Sequence, residues 1–406
     1  MKRKTIKKYK EHNERSTVLQ QRRNLKMASS VQAYVRGNTH KFYEWLGAAH
    51  SSNIPEGPPV WICGDCHLGN LGPLADTDGQ IAIQIRDLDH SVIGNPAHDL
   101  IRLGLSLAMA ALGSDLPGVT TAEMLAQLTE GYQQALGEPD SASGDKPECV
   151  QVVMRKAVKR TWAQFAKERL QDAKPTIPLG RSFWPLSDDE KREIDLLFAT
   201  EEVRQLATSL RHRKDHARTE MLDAAYWVKG CSSLGRLRFA VLLGVGKRSD
   251  EDGALCLMDI EEAVPETAPC YAKANMPVDH AVRVVTGARH LSPALGERMI
   301  AARFLDRPVF IRELLPQDLK LEIAHVTREE AVKAAGYLAM TIGKAHARQM
   351  DAATREKWGN ELARHHSSGL DAPSWLWSSV VELVANHEAA YLEHCRKYAL
   401  ESTPRG

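Results

Sequence analysis

Apolar residues stand at Ile81, Ile83 and Ile85 around Ala82 and Gln84, the period of a half-buried strand. Asp76-Thr-Asp-Gly79 is a turn signal just before it, so Leu71 to Leu74 and Ile81 to Ile85 are expected to form a hairpin. Asn95 and Pro96 read as an N-cap and first helical residue, opening a helix through Leu107 with Asp99 in its first turn. Charged amphipathic patterns over 150–172 and 188–222, interrupted by Pro175, Pro178, Gly180 and Pro185, predict helices packed around the Asp99 helix. Gly137 to Pro147 is a polar linker. The character changes near Tyr226. Gly230-Cys-Ser-Ser-Leu-Gly235 precedes Leu237, Phe239, Val241 and Leu243 at alternate positions, and a turn through Gly253 leads to a second apolar strand, Leu255 to Ile260. A helix over 279–290, a hairpin from Met299 to Leu314 around Asp306-Arg-Pro308, and long helices over Glu329 to Met350 and Trp375 to Tyr398 complete the pattern.

Composition sets limits on this picture. A chain of 406 residues that is 43% hydrophobic is long enough for two lobes, each with a core. Seven scattered cysteines point to a reducing cytoplasm rather than a disulfide scaffold. No stretch approaches the roughly 20 apolar residues of a membrane span, and the Lys- and Arg-rich start lacks the apolar run of a signal peptide. The net charge of +1 is unevenly placed: residues 1–26 hold ten Lys or Arg against Glu11 and Glu14, a charge of +8, which leaves −7 for the rest. Such an arm could touch nucleic acid, an acidic membrane surface or an acidic partner, but it reads first as a solvated, partly helical tail. With Tyr9 its lone aromatic and an acidic remainder, the chain is not expected to bind nucleic acid.

The chemistry concentrates in residues 63–99: Cys63-Gly-Asp65-Cys-His67-Leu-Gly-Asn70, then Asp87-Leu-Asp89, then Asn95-Pro-Ala-His-Asp99. An Asp five residues before an Asn lets one tight loop offer a base to a substrate hydroxyl and an amide oxygen to a metal, and a second acid at a strand end bridges metal to phosphate. The expected hairpin would return Asp87 to the neighbourhood of Asp65. Taken singly, each of these residues is an ordinary turn former; the grouping around a strand is what suggests a magnesium-assisted phosphoryl-transfer site. Cys63-Gly-Asp-Cys66-His67 also fits the spacing of a c-type haem attachment site or a redox pair, but neither export signals nor a thioredoxin-like context accompanies it. The glycine turn at Gly230 and Gly235, with the Ser232 and Ser233 hydroxyls, could set backbone N–H groups against phosphate oxygens.

Gly-Asp65-Cys-His67-Leu-Gly-Asn70 and Asp87-Leu-Asp89 followed by Asn95-Pro-Ala-His-Asp99-Leu resemble the catalytic and metal loops of aminoglycoside phosphotransferases and related kinase-like enzymes. More closely, the chain resembles the bacterial domain of unknown function 2252 family, from Met27-Ala-Ser-Ser30 and Arg36-Gly37 through Gly230 to Gly235, Asp259 to Ala263, Arg312-Glu-Leu and His346-Ala-Arg348. The resemblance implies an α+β, two-lobe protein-kinase-like fold that uses ATP and magnesium on a hydroxyl of a small-molecule acceptor, with a protein acceptor as the lesser option. Asp65 would be base or hydroxyl orienter, His67 would hold the loop, and Asn70, Asp87 and Asp89 would serve the metal. Asp99 would accept hydrogen bonds from the loop backbone.

The order of pieces differs from an ordinary kinase, since the catalytic loop precedes the glycine turn. A circularly permuted fold is expected, divided into a basic arm (1–26), a helical large lobe (27–225), a β small lobe (226–326) and C-terminal helices completing the large lobe (327–406), with His346 near Asp65. One position departs from the resemblance: Glu261 stands where relatives carry the lysine that contacts the α- and β-phosphates. Lys229, Arg236, Arg238, Arg312 and Lys320 are candidate replacements; Arg312 comes first, because a charge after Val309-Phe-Ile311 in a strand needs an anion, and Lys320 second. Glu261 also motivates a competing expectation, a catalytically inactive nucleotide sensor or scaffold. Transfer of AMP rather than phosphate is a third.

Overall fold

A computed structural model describes residues 12–48, 53–114, 116–137, 139, 145–160, 164, 176–210, 213–214, 217–246, 255–319, 327–364 and 372–398. The chain is a mixed α+β protein. Three helices open it: α1 (His12–Met27), α2 (Val31–Gly37) and α3 (Thr39–Gly47). Four short strands follow as two separate antiparallel pairs, β1 (Val60–Ile62) with β4 (Val92–Gly94) and, between them in sequence, β2 (Leu71–Ala75) with β3 (Ile81–Ile85). The second pair is the hairpin that the alternation predicts, in register Leu71 to Ile85. Asn95 caps α4 (Pro96–Leu112) by accepting from the Ala97 N–H, and the helix runs beyond Leu107 because Ala108, Met109 and Ala111 continue its buried face.

The helices α5 (Gly118–Gly137) and α6 (Glu148–Lys159) follow. The residues expected to extend the second of these to 172 lie outside the described residues, except Arg160 and Gln164. The β5 strand (Phe183–Trp184), α7 (Asp188–Phe198), α8 (Glu201–Thr208), β6 (Thr219–Trp227), β7 (Arg238–Val245) and β8 (Leu255–Glu262) come next, then α9 (His280–Leu291) and the short α10 (Pro293–Gly296). Asp279 Oδ1 caps α9 by accepting from Ala281 and Val282 N–H at 2.8 and 3.1 Å. The hairpin of β9 (Met299–Phe304) and β10 (Arg307–Leu314) turns at Leu305 and Asp306, both with positive φ, the two-residue turn that matches strand twist. Long helices close the chain: α11 (Arg328–Ala347), α12 (Ala352–Arg364) and α13 (Ser374–Tyr398).

The antiparallel six-stranded sheet has the order β5-β6-β7-β8-β10-β9. One face, with Phe239, Val241, Met258, Ile260, Val309 and Ile311, packs on α7 and α8 through Ile194, Phe198, Val203 and Leu206. The helices of 188–208 therefore cover the sheet and not the Asp99 helix, and 219–222 belongs to a strand. The strand hides its period because a bulge between Met221 and Asp223 interrupts the alternation. The boundary at 226 falls inside the packed sheet for the same reason. A larger core joins α3, α4, α5, α11 and α13 to the small strands. There α5 and α11 cross so closely that a Cβ on Gly131 would come within 2.1 Å of the Gly336 carbonyl oxygen. Helix α6 adds Val150 and Val153 to this core, against β2, β3 and α11.

Residues 12–26 are not a solvated arm. Leu19 enters the sheet core, and Arg15, with no exposed surface, pairs with Glu190 at 2.6 Å and lies over the Tyr226 ring. Residues 1–11 lie outside the described residues. Among the described residues no helix is long and apolar enough to cross a membrane.

Burial at the α13–α4 contact has a pH consequence. His387 is fully buried, and burial, with a smaller effect of the Arg102 charge, lowers its pKa from 6.5 to about 4. A chain that unfolds takes up the proton that the folded protein refuses, so stability present above pH 6.5 is lost as pH falls toward 4. The loss should approach about 3 kcal/mol for this residue. Urea unfolding at pH 7 and pH 4.5 reads it, and His387→Phe should shrink the difference between the two.

Candidate active site

The loop from Cys63 to Asn70 is held from below. Gly64 has φ of +73°, and a Cβ there would lie 2.1 Å from the His90 carbonyl oxygen, so the turn requires glycine. Asp99, fully buried in the first turn of α4, accepts from the Cys63 N–H at 2.7 Å and the Gly64 N–H at 3.0 Å, the role the sequence suggests for it. His346 Nε2 stands 3.3 Å from Asp99 Oδ2, its Nδ1 meets the Tyr132 hydroxyl at 3.0 Å, and Trp358 Nε1 donates to that hydroxyl at 3.2 Å. Just past α11, Gln349 bonds both the N–H and the C=O of Trp61, at 2.8 and 3.0 Å. The end of α11 thus fastens β1 and the loop that follows it.

Arg102, three residues after Asp99 on α4, holds Asp65: its Nε donates to Oδ1 at 2.9 Å, while Nη2 also donates to the Val35 carbonyl at 2.7 Å. Burial works to raise the Asp65 pKa; the Arg102 charge and hydrogen bond, with His67 and His90 beside it, together outweigh burial, and the carboxyl titrates below its usual range. His67 Nδ1 accepts from the Gly69 N–H at 3.0 Å, and its Nε2 faces Asp65 Oδ2 at 3.8 Å. Burial lowers its pKa to about 4, so it is a neutral, loop-holding ring at pH 7. Asn70 donates from Nδ2 to the Asp65 carbonyl at 2.9 Å, which commits its nitrogen and leaves Oδ1 as the atom for a cation. Cys63 and Cys66 are 1% exposed beneath the loop.

The β2–β3 hairpin delivers Asp87 to the same cleft, where its carboxylate is exposed. Desolvation there raises its pKa, but Arg312 and Arg238 more than compensate and keep it ionised. Asp89 sits behind the cleft wall, 8% exposed, and burial beside Asp87 and Glu261 pushes its carboxyl well up despite Arg236 at 3.2 Å. Arg283 of α9, 1% exposed, holds this turn by donating to the Asp89, Ser91 and Val264 carbonyls. Sequence reasoning missed Arg102 and Arg283. The signal was present, since each is a charge within the apolar face of a helix and so requires a partner.

The glycine turn closes the cleft from the sheet side. Gly230, Ser232 and Ser233 line it with Asp65, His67, Asn70 and Asp87, around a cavity of about 140 Å³. Gly235, with φ of +101°, shapes the turn without lining the cavity, and Lys320 lies outside the described residues. Behind the turn, β7, β8 and β10 set Arg238 opposite Glu261 and Arg312 opposite Asp259 on one face of the sheet. Arg238 reaches Glu261 at 2.7 Å and Asp259 at 2.5 Å; Arg312 reaches Asp259 at 3.1 Å and Glu261 at 3.6 Å. Glu261 therefore does not face the cleft as a bare negative charge. Burial raises its pKa, Arg238 opposes this, and Asp259 adds to the rise.

Among the described residues no three His, Cys, Asp or Glu converge on a ready-made metal cage. A magnesium ion shared with phosphates needs fewer protein ligands than that, one or two carboxylates sufficing. Asn70 Oδ1 and the ionised Asp87 are suited to such a site. No curated protein and no solved structure matches the chain. Residues 15–397 match the family described as an uncharacterized protein conserved in bacteria, DUF2252, and the chain belongs to that family.

Proposed function

We propose that the protein is a circularly permuted kinase-like phosphotransferase that moves the γ-phosphoryl of ATP to a hydroxyl of a small molecule. The observation that carries this reading is the meeting, in one cleft, of Asp65, Asn70 and Asp87 with a glycine turn some 160 residues later in the chain. Two features of the fold support it. The run strand, glycine turn, strand, strand, helix, hairpin, here β6 to β10 with α9 between β8 and β9, is the order that a kinase-like small lobe requires. The end of α11, fastened to Trp61 by Gln349 and to Asp99 by His346, would in this reading serve as the helix that leads into the catalytic loop.

In this reading Asp65, kept ionised by Arg102, orients the acceptor hydroxyl and receives its proton late in the transfer. The backbone and serine hydroxyls of the glycine turn meet the phosphates. Arg238 and Arg312 do the work of the missing lysine, positioned by Asp259 and Glu261 where an ordinary kinase positions a lysine with a helix glutamate. The polarity is inverted: the acids are on the third strand of the lobe and the cations on its neighbours. Bound magnesium, held by Asn70 and Asp87, would neutralise phosphate charge. His67 and Arg283 keep the two loops in place.

The inactive-scaffold reading draws on the small cavity, which is below the roughly 300 Å³ of typical ligand sites. Thermal unfolding with ATP and magnesium, beside Asp87→Asn, separates a nucleotide-binding protein from a scaffold that binds none, and ADP formation then separates an enzyme from an inactive sensor. Metal-dependent stabilisation of about 2.7 kcal/mol at a hundredfold excess over Kd, absent in the variant, is expected. No shift in the parent protein would favour the scaffold, and product mass would distinguish phosphate from AMP transfer.

A further inference from the structure

The α1–α2 corner brings a second set of cations to the mouth of the cleft. Lys26 Nζ donates to the Gly230 carbonyl at 2.7 Å, and Arg23 Nη2 to the Gly37 carbonyl at 3.1 Å. Gly37 itself is so near the glycine turn that a Cβ there would lie 3.0 Å from Cys231 Sγ. Arg36 lies on the catalytic loop, where a Cβ on Gly69 would lie 3.0 Å from its Cζ. Three cations from α1 and α2 thus gather where the glycine turn meets the loop of Asp65.

They differ from the cations deeper in the cleft. Arg238, Arg312 and Arg236 are matched to Asp259, Glu261 and Asp89. Among the described residues Arg23, Lys26 and Arg36 form no ion pair; carbonyl oxygens hold the first two, and the Arg36 guanidinium has no hydrogen bond. Burial, and after it the charge of Arg236 nearby, lowers the Arg23 pKa, so its site disfavours an uncompensated cation. Folding gathers like charges at a cost that an anion would offset. The two sets also sit at different parts of the turn: Arg238 reaches Ser233 Oγ at 3.4 Å, whereas the α1–α2 cations surround Cys231.

We infer that the acceptor is a phosphate-bearing small molecule whose phosphate is held by Arg23, Lys26 and Arg36, which brings its hydroxyl to Asp65. Three cations around one thiol suit a single phosphate group rather than a polyanionic chain, whose recognition spreads over many contacts. The assignment of the ligand as acceptor rests on the phosphotransferase reading.

The test uses the full chain and inorganic phosphate as probe, with chloride at equal ionic strength as control. Phosphate-dependent stabilisation is measured with and without magnesium and a non-hydrolysable ATP analogue, in the parent protein and in Arg36→Gln and Lys26→Gln. Both side chains are exposed, so the variants keep the fold. The expected result is phosphate binding that persists with the analogue bound and weakens at least tenfold in each variant, while analogue affinity stays within twofold. Absence of phosphate binding in the parent, or equal binding in parent and variants, overturns the inference. A matching loss of analogue affinity in the variants also overturns it, by giving these cations to the phosphates of ATP. Failure of the parent to bind the analogue counts against the phosphotransferase reading instead, and the phosphate titration without nucleotide still judges the cation site.

Discussion

Asp65→Ala is expected to lower phosphoryl transfer by about a thousandfold or more while leaving the affinity for ATP with magnesium within about twofold. The two halves of this expectation rest on different contacts. Transfer depends on the carboxylate, which lies in the cleft with Arg102 fixing its orientation. Nucleotide affinity, in the proposed reading, would depend on Asn70, Asp87 and the glycine turn, and Asn70 is anchored on the backbone carbonyl of Asp65, which the substitution leaves in place. Because its carboxyl titrates below its usual range, with Arg102 the largest lowering influence, Asp65 would be a weak base in the proposed reaction, and its larger contribution would be to align the hydroxyl. Alanine also leaves Arg102 buried without its acid, at a stability cost of about 3–5 kcal/mol. Asp65→Asn, which keeps the volume and an acceptor oxygen, separates lost chemistry from lost structure: transfer should fall nearly as far with a smaller loss of stability. ADP formation and equilibrium nucleotide binding measure the two quantities. A fully active Asp65→Ala protein would end the assignment of Asp65.

The parts of this molecule legible in the sequence are those specified by neighbours in the chain. The β2–β3 hairpin, the Asn95 cap, the Asp279 helix and the β9–β10 hairpin each carry their signal within a few residues, and each forms near its expected bounds. The misreadings arise where the deciding partner is remote. An amphipathic pattern says that α7 and α8 bury one face, not that Phe304, Val309 and Ile311 lie beneath it. The basic arm was counted as charge, yet Arg15 finds Glu190 at a separation of 175 residues. The site divides in the same way. Asp65, Asn70 and Asp87 were visible because one loop and one hairpin bring them together, whereas Arg102 and Arg283 could be recognised only as charges in need of partners.

Glu261→Lys is the change that sequence logic would make to restore a nucleotide site, and the structure leads to the opposite expectation. Glu261 is 3% exposed, with one carboxylate oxygen 2.7 Å from Arg238 and the other 3.6 Å from Arg312. A lysine there would be a further buried cation beside these two, which would keep Asp259 in contact and Asp87 and Asp89 nearby but lose the Glu261 carboxylate. The expected cost is about 3–5 kcal/mol in urea unfolding, together with loss of magnesium-dependent stabilisation by ATP, because Arg238 would be pushed from its place behind the glycine turn. Glu261→Gln should cost less, about 1–3 kcal/mol, since Arg238 keeps Asp259 and the amide can still accept a hydrogen bond. The order of the three proteins distinguishes the readings: parent above glutamine above lysine, in stability and in nucleotide binding, is the order required if acids on β8 position the phosphate-binding arginines. A lysine variant as stable as the parent, with tighter binding of ATP, would instead mean that Glu261 blocks the site, and would identify the natural chain as a kinase-like scaffold.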